Sequence, residues 1–147
     1  MQGKEIFKAV QQIHNIMRKH GAKNVLSKLQ QLDTYDCSKT EAEQIDCIVS
    51  EVAKYYQVTA PSIFATKERG KCSEARKMCW VLICQLVMVS EIQIAWYFNR
   101  HNSVIYKAIK EFRNMDRTHK RDREFLNIKD ILEPIVRKQL ESITPIN

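Results

Sequence analysis

Residues 90–112 read SEIQIAWYFNRHNSVIYKAIKEF, and this stretch decides how the chain folds. Ser90 with Gln93 is a capping-box pattern, so a helix opens there. It is short, with Ile92, Ala95, Trp96 and Phe98 expected inward. Ile105, Ala108, Ile109 and Phe112 then share one helical face and predict a longer helix over 103–114. Between the two lies Asn99-Arg100-His101-Asn102, followed by Ser103. Asn102 or Ser103 is the expected N-cap of the second helix. Short helix, tight turn, longer helix is the grammar of a helix-turn-helix. The polar corner has two readings. It is a capped turn and no more, or it is the first turn of a helix that meets base edges in a major groove.

Working outward, the rest of the chain is also helical. Ile6, Ala9, Val10, Ile13 and Met17 predict an amphipathic helix over 4–19, which Gly21 ends. Val25, Leu26, Leu29 and Leu32 mark a second short helix, and 33–40 is a polar joint. Thr40 with Glu43 forms a capping-box pattern ahead of Ile45, Ile48, Val49, Val52, Ala53 and Tyr56. Thr59 caps a short turn that tolerates Pro61 and points Ile63 and Phe64 inward. After the loop ATKERGK, Ser73 is the expected cap of a helix carrying Ala75, Met78, Cys79, Leu82, Ile83, Leu86 and Val87. That helix is apolar on nearly every side beyond Lys77 and should be the buried centre. A final helix over 122–142 carries Phe125, Ile128, Ile131, Leu132, Ile135 and Val136, and Pro134 should kink or split it. The fold class is therefore all-α, with an N-terminal extension over 1–40 and a helix-turn-helix domain over 41–147.

Bulk properties agree. The chain has 147 residues, 44% of them hydrophobic, with only three Gly and three Pro. That suits one helical domain with short connections. The longest apolar run, Cys79–Val89, is too short to span a membrane, and no secretory signal is visible. The five cysteines form no CxxC pair and have no His at metal-ligand spacing, which points to a reduced cytosol without zinc. No catalytic His, Ser or Cys constellation stands out, and no Gly-rich nucleotide loop or HExxH motif occurs. The expectation is a cytoplasmic, nucleoid-associated protein that is not an enzyme and needs no cofactor, metal, nucleotide or membrane.

Charge is distributed in a way that suggests a partner. The formal net charge is +7 and the pI about 9.2. Residues 67–77 hold five cations and two acids, and residues 99–122 hold seven cations and three acids. Residues 43–66 are net acidic, and 123–147 balance. Two basic blocks on an otherwise neutral frame suit a polyanion. In the second block, Arg100 could grip guanine, Asn102 could pair with adenine, and Lys107 and Lys110 could follow phosphates.

The motifs in their order resemble the C-terminal DNA-binding domain of the bacterial chromosomal replication initiator DnaA. The resemblance runs from about Ile45 to Leu140 through IDCIVSEVAKYYQVTAPSI, TKERGKCSEARKM, EIQIAWYF and NRHNSVIYKAIKEF. It implies that Lys67 and Arg69, within the basic loop 67–71 that also holds Lys71, enter the minor groove. It implies that Arg76 and Lys77 hold phosphates. It implies that Arg100, Asn102 and Ser103 lie at the major groove, and His101, in the same turn, is a further candidate for DNA contact. Three positions depart from the family's signature. Asn99 stands for a Gly, and Asn tolerates the left-handed conformation better than most residues. His101 stands for an Asp, and Asn102 for a His, so the target sequence need not be the family's. The implied partner is double-stranded DNA, in a bacterial or phage transcriptional regulator or replication-control factor. The competing expectation is a protein–protein adaptor that keeps the fold without reading DNA, with residues 4–32 forming a homodimer or docking on a partner.

Overall fold

The computed structural model describes residues 3–23, 36–65 and 70–143. Seven helices lie wholly within them: α1 (Gly3–His20), α2 (Lys39–Tyr56), α3 (Ala60–Phe64), α4 (Lys71–Leu86), α5 (Glu91–Tyr97), α6 (Asn102–Arg113) and α7 (Lys120–Ile143). No strand occurs among the described residues. The chain divides into two compact units, Met1–Asp36 and Cys37–Asn147. The expected short helix with Val25, Leu26, Leu29 and Leu32 lies outside the described residues, as do Lys67 and Arg69.

In the first unit, α1 is strongly amphipathic, and its apolar side chains Ile6, Phe7, Val10, Ile13 and Ile16 are all exposed. In the second unit, α4 is the hub. It contacts α2, α3, α5, α6 and α7. Ala75, Met78, Cys79, Leu82 and Ile83 are fully buried along it. Burying Met78, Leu82 and Ile83 stabilises the fold by roughly 1.5–3 kcal/mol each relative to exposure. Facing them are Ile45, Ile48, Val49 and Val52 of α2, Ile105 and Ile109 of α6, and Phe125, Leu132 and Val136 of α7.

The helix boundaries correct several expectations. The capping box of α2 is Ser38 with Glu41, not Thr40 with Glu43: Ser38 Oγ accepts from Glu41 N–H at 3.1 Å, and Ser38 N–H donates to Glu41 Oε1 at 2.8 Å. Both patterns occur two residues apart, and the earlier one lengthens the helix. Helix α4 begins before Ser73, with Gly70 at its N-cap and no side-chain cap. Gly70 has φ 70° and ψ −124°, a conformation open to glycine and strained for other residues. Helix α7 runs unbroken from Lys120 to Ile143, so Pro134 does not split it. Pro134 lies on the solvent side, where the carbonyl it deprives of a donor can turn to water. Ile131 and Ile135 flank it and are exposed rather than buried.

Candidate nucleic-acid interface

The corner between α5 and α6 is built by its backbone. Arg100 N–H donates to Ala95 O at 2.8 Å and Asn99 N–H to Trp96 O at 3.2 Å. This pair of bonds is a Schellman motif, and it needs a left-handed residue at Asn99. Asn99 has φ 53°, so the residue standing where the resembled signature has Gly takes the conformation that Gly would supply. The Ser90–Gln93 capping box opens α5 as the spacing predicts. Three packed aromatics brace the corner from within: Phe98 is 2% exposed, stacks on Phe64 at 4.7 Å and meets Trp80 edge-on at 6.0 Å.

Helix α6 starts one residue earlier than the periodicity predicts, and its N-cap is His101 rather than Asn102 or Ser103. His101 Nδ1 accepts from Ser103 N–H at 3.2 Å and lies 2.8 Å from Ser103 Oγ. The imidazole therefore does the work of a capping oxygen. Removing it in His101→Ala should cost about 1 kcal/mol, whereas His101→Asp should hold stability, since a carboxylate accepts the same bond at the positive end of the helix. Thermal unfolding of the two variants checks this. Equal losses would remove the capping role.

With His101 as cap, Asn102 and Ser103 occupy the exposed first turn of α6. Ile105, Ala108 and Ile109 are its buried face, as the spacing predicts. The outward face carries Tyr106 (56% exposed), Lys107 and Lys110. Tyr106 was not among the sequence candidates, although it falls outside the apolar stripe. Trp96 was expected inward and is instead 48% exposed. It borders a recess of about 220 Å³ shared with Asn99, Arg100, His101 and Asn102. Its short helix buries only Ile94 and Ala95, and the ring it turns partly inward is that of Tyr97, against Phe64.

An open groove of about 380 Å³ runs between α4 and α6, lined by Ser73, Arg76, Lys77, Arg100, Lys107 and Glu111 among others. The structure thus brings together cations that lie up to 31 positions apart in sequence. They are not equivalent. Arg76 is 5% exposed, and its guanidinium donates to Ile63 O from Nε at 2.8 Å and to Ser62 O from Nη2 at 3.0 Å. Arg100 is half-buried, and its Nη2 donates to Ala65 O at 2.8 Å. Burial, and then the neighbouring Arg76, lower the Arg100 pKa from its ordinary value. Lys77 pairs with Glu111 at 2.8 Å and sits 5.6 Å over the Phe125 ring. The hydrogen bond from Lys77 holds the Glu111 carboxyl below its usual range. Lys107 and Lys110 are exposed, and so is Lys71 at the start of α4. Among the described residues no group of His, Cys, Asp and Glu could hold a metal, and no helix is long and apolar enough to cross a membrane.

No family model and no curated protein matches the chain. A solved structure does. A crystal structure of a DNA replication initiation factor aligns with 91% of this chain, at TM-score 0.59 and 22% identity. The likeness is one of fold. It agrees with the all-helical architecture that the motif order implies, and the aligned part spans 38% of that initiation factor's chain.

Proposed function

We propose that the chain binds double-stranded DNA with sequence preference, as a replication-control factor or transcriptional regulator of a bacterium or phage. Helix α6 enters the major groove, and the basic stretch 67–71 reaches toward the minor groove. The observation that carries this reading is the exposed first turn of α6, with Asn102 at its tip, beside a cation-lined groove. Asn offers adenine a donor and an acceptor together. Lys107 and Lys110 follow phosphates, and the Tyr106 and Trp96 rings supply apolar contact to sugars or thymine methyls. The shared fold with a DNA replication initiation factor favours the same class of partner. The protein acts without cofactor or catalysis, in the cytoplasm where such DNA lies.

Asn102→Ala should cost about 1–3 kcal/mol on the preferred duplex and relax the preference at one base pair. Fluorescence anisotropy with the preferred duplex and its single-base variants reads both effects. Unchanged affinity together with an unchanged base preference would put Asn102 outside the interface.

A second reading, an adaptor that binds protein without reading DNA, is favoured by one observation. Five large apolar side chains of α1 stand exposed on an 18-residue helix. Such a face suits a second copy of the chain or another helix. An adaptor would respond weakly to salt, whereas a DNA reader releases counterions and responds steeply.

A further inference from the structure

The sequence offers Arg100 as a reader of guanine, but its hydrogen bonding gives it different work. Helix α3 has only five residues, too few to stabilise itself. Its last carbonyls have no partners within the helix. Two guanidiniums from other elements supply them. Arg76, in the second turn of α4, donates to Ser62 O and Ile63 O, and Arg100, in the corner before α6, donates to Ala65 O. The two cations stand close to one another, an arrangement that costs repulsion. The partial negative charge at the carbonyl end of the helix offsets it. Immediately after Ala65 the sequence enters TKERG, the first basic block.

We propose that Arg100 is a positioning residue: it grips the carbonyl end of α3, ties that end to the helix-turn-helix corner, and so sets where the chain departs for the basic stretch 67–71. The proposal rests on the DNA-binding reading for its functional half. One nitrogen of Arg100, Nη2, is committed to Ala65 O, and in this proposal the side chain serves every bound duplex alike rather than reading a single base. Arg76 completes the clamp from the other side. In this arrangement α6 and the exit of α3 are registered against each other by a side chain of the turn itself. A contact made by one element therefore depends on the placement of the other.

The test uses the full chain and three variants, Arg100→Ala, Arg100→Lys and Asn102→Ala, each followed by amide hydrogen exchange over Ala60–Ala65 and by selection from a random duplex pool. Arg100→Ala should speed exchange in that segment about tenfold, the loss of one charge-assisted hydrogen bond. It should weaken binding to all duplexes by a common factor while the selected sequence stays the same. Arg100→Lys, which keeps one donor, should recover part of both the protection and the affinity. Asn102→Ala should leave exchange over Ala60–Ala65 unaltered and change the selected sequence. Unchanged exchange in Arg100→Ala, or a changed preference at a single base pair, would overturn the proposal. Failure of the wild-type chain to retain any duplex would defeat the DNA reading and the functional half of the proposal, while the exchange result would still decide the clamp.

Discussion

Replacing Arg76 by Met should destabilise the helical domain by about 3 kcal/mol, because two charge-assisted hydrogen bonds to backbone carbonyls are lost, one of them buried. Arg76 is 5% exposed and serves Ser62 O and Ile63 O through Nε and Nη2. Met fills much of the same volume, so the loss reports the missing donors rather than a cavity. Lys in the same place offers one compact ammonium where the guanidinium offers a planar fork, and should restore only part of the stability. Urea unfolding measures the effect as a lower midpoint at unchanged slope. A loss under about 1 kcal/mol would be that of an ordinary surface arginine and would contradict the structural role given to this side chain.

Removing Lys107 and Lys110, two of the three exposed cations of α6, should have a comparably large effect on binding. In Lys107→Ala/Lys110→Ala, two phosphate contacts disappear, so the slope of log K against log salt should become shallower by about two and affinity near 0.1 M salt should fall about a hundredfold. Both side chains line one recess beside Glu111 and Asn114, on the outward side of the helix. They are remote in role from the buried face of Ile105, Ala108 and Ile109, so thermal stability should hardly change. The loss should be uniform across duplex sequences, in contrast to Asn102→Ala. An unchanged salt slope would mean that this face of α6 meets no phosphate.

Much of this architecture was legible from spacing. The apolar stripe of α6, the encircled burial of α4 and the Ser90–Gln93 cap each follow from a period or a two-residue signature, and each stands in the structure. Asn99 was legible too, since a turn this tight needs a residue that accepts positive φ. What escaped was set by neighbours distant in sequence. Arg76 and Arg100 look alike to Lys107 on paper, and only the arrival of α3 beside them turns two of these cations into donors for carbonyls. Lys129 is buried at 8% exposure because Glu133 lies 3.2 Å away and the Phe112 ring lies 5.5 Å beneath its ammonium. No local pattern announces that. The caps of α2 and α6, Ser38 and His101, lie beside residues that offer competing acceptors, and a histidine ring is an uncommon cap. Trp96 is exposed because a seven-residue helix has few inward positions, which composition does not reveal.

The most direct measurement is selection of duplexes from a random pool by the full chain at near-physiological salt, with sequencing of what is retained. Retained duplexes should share one short motif, retention should be lost as salt is raised, and Asn102→Ala should change the motif at one position. Retention of no duplex, or of duplexes with no motif in common, would mean that α6 is not a sequence reader.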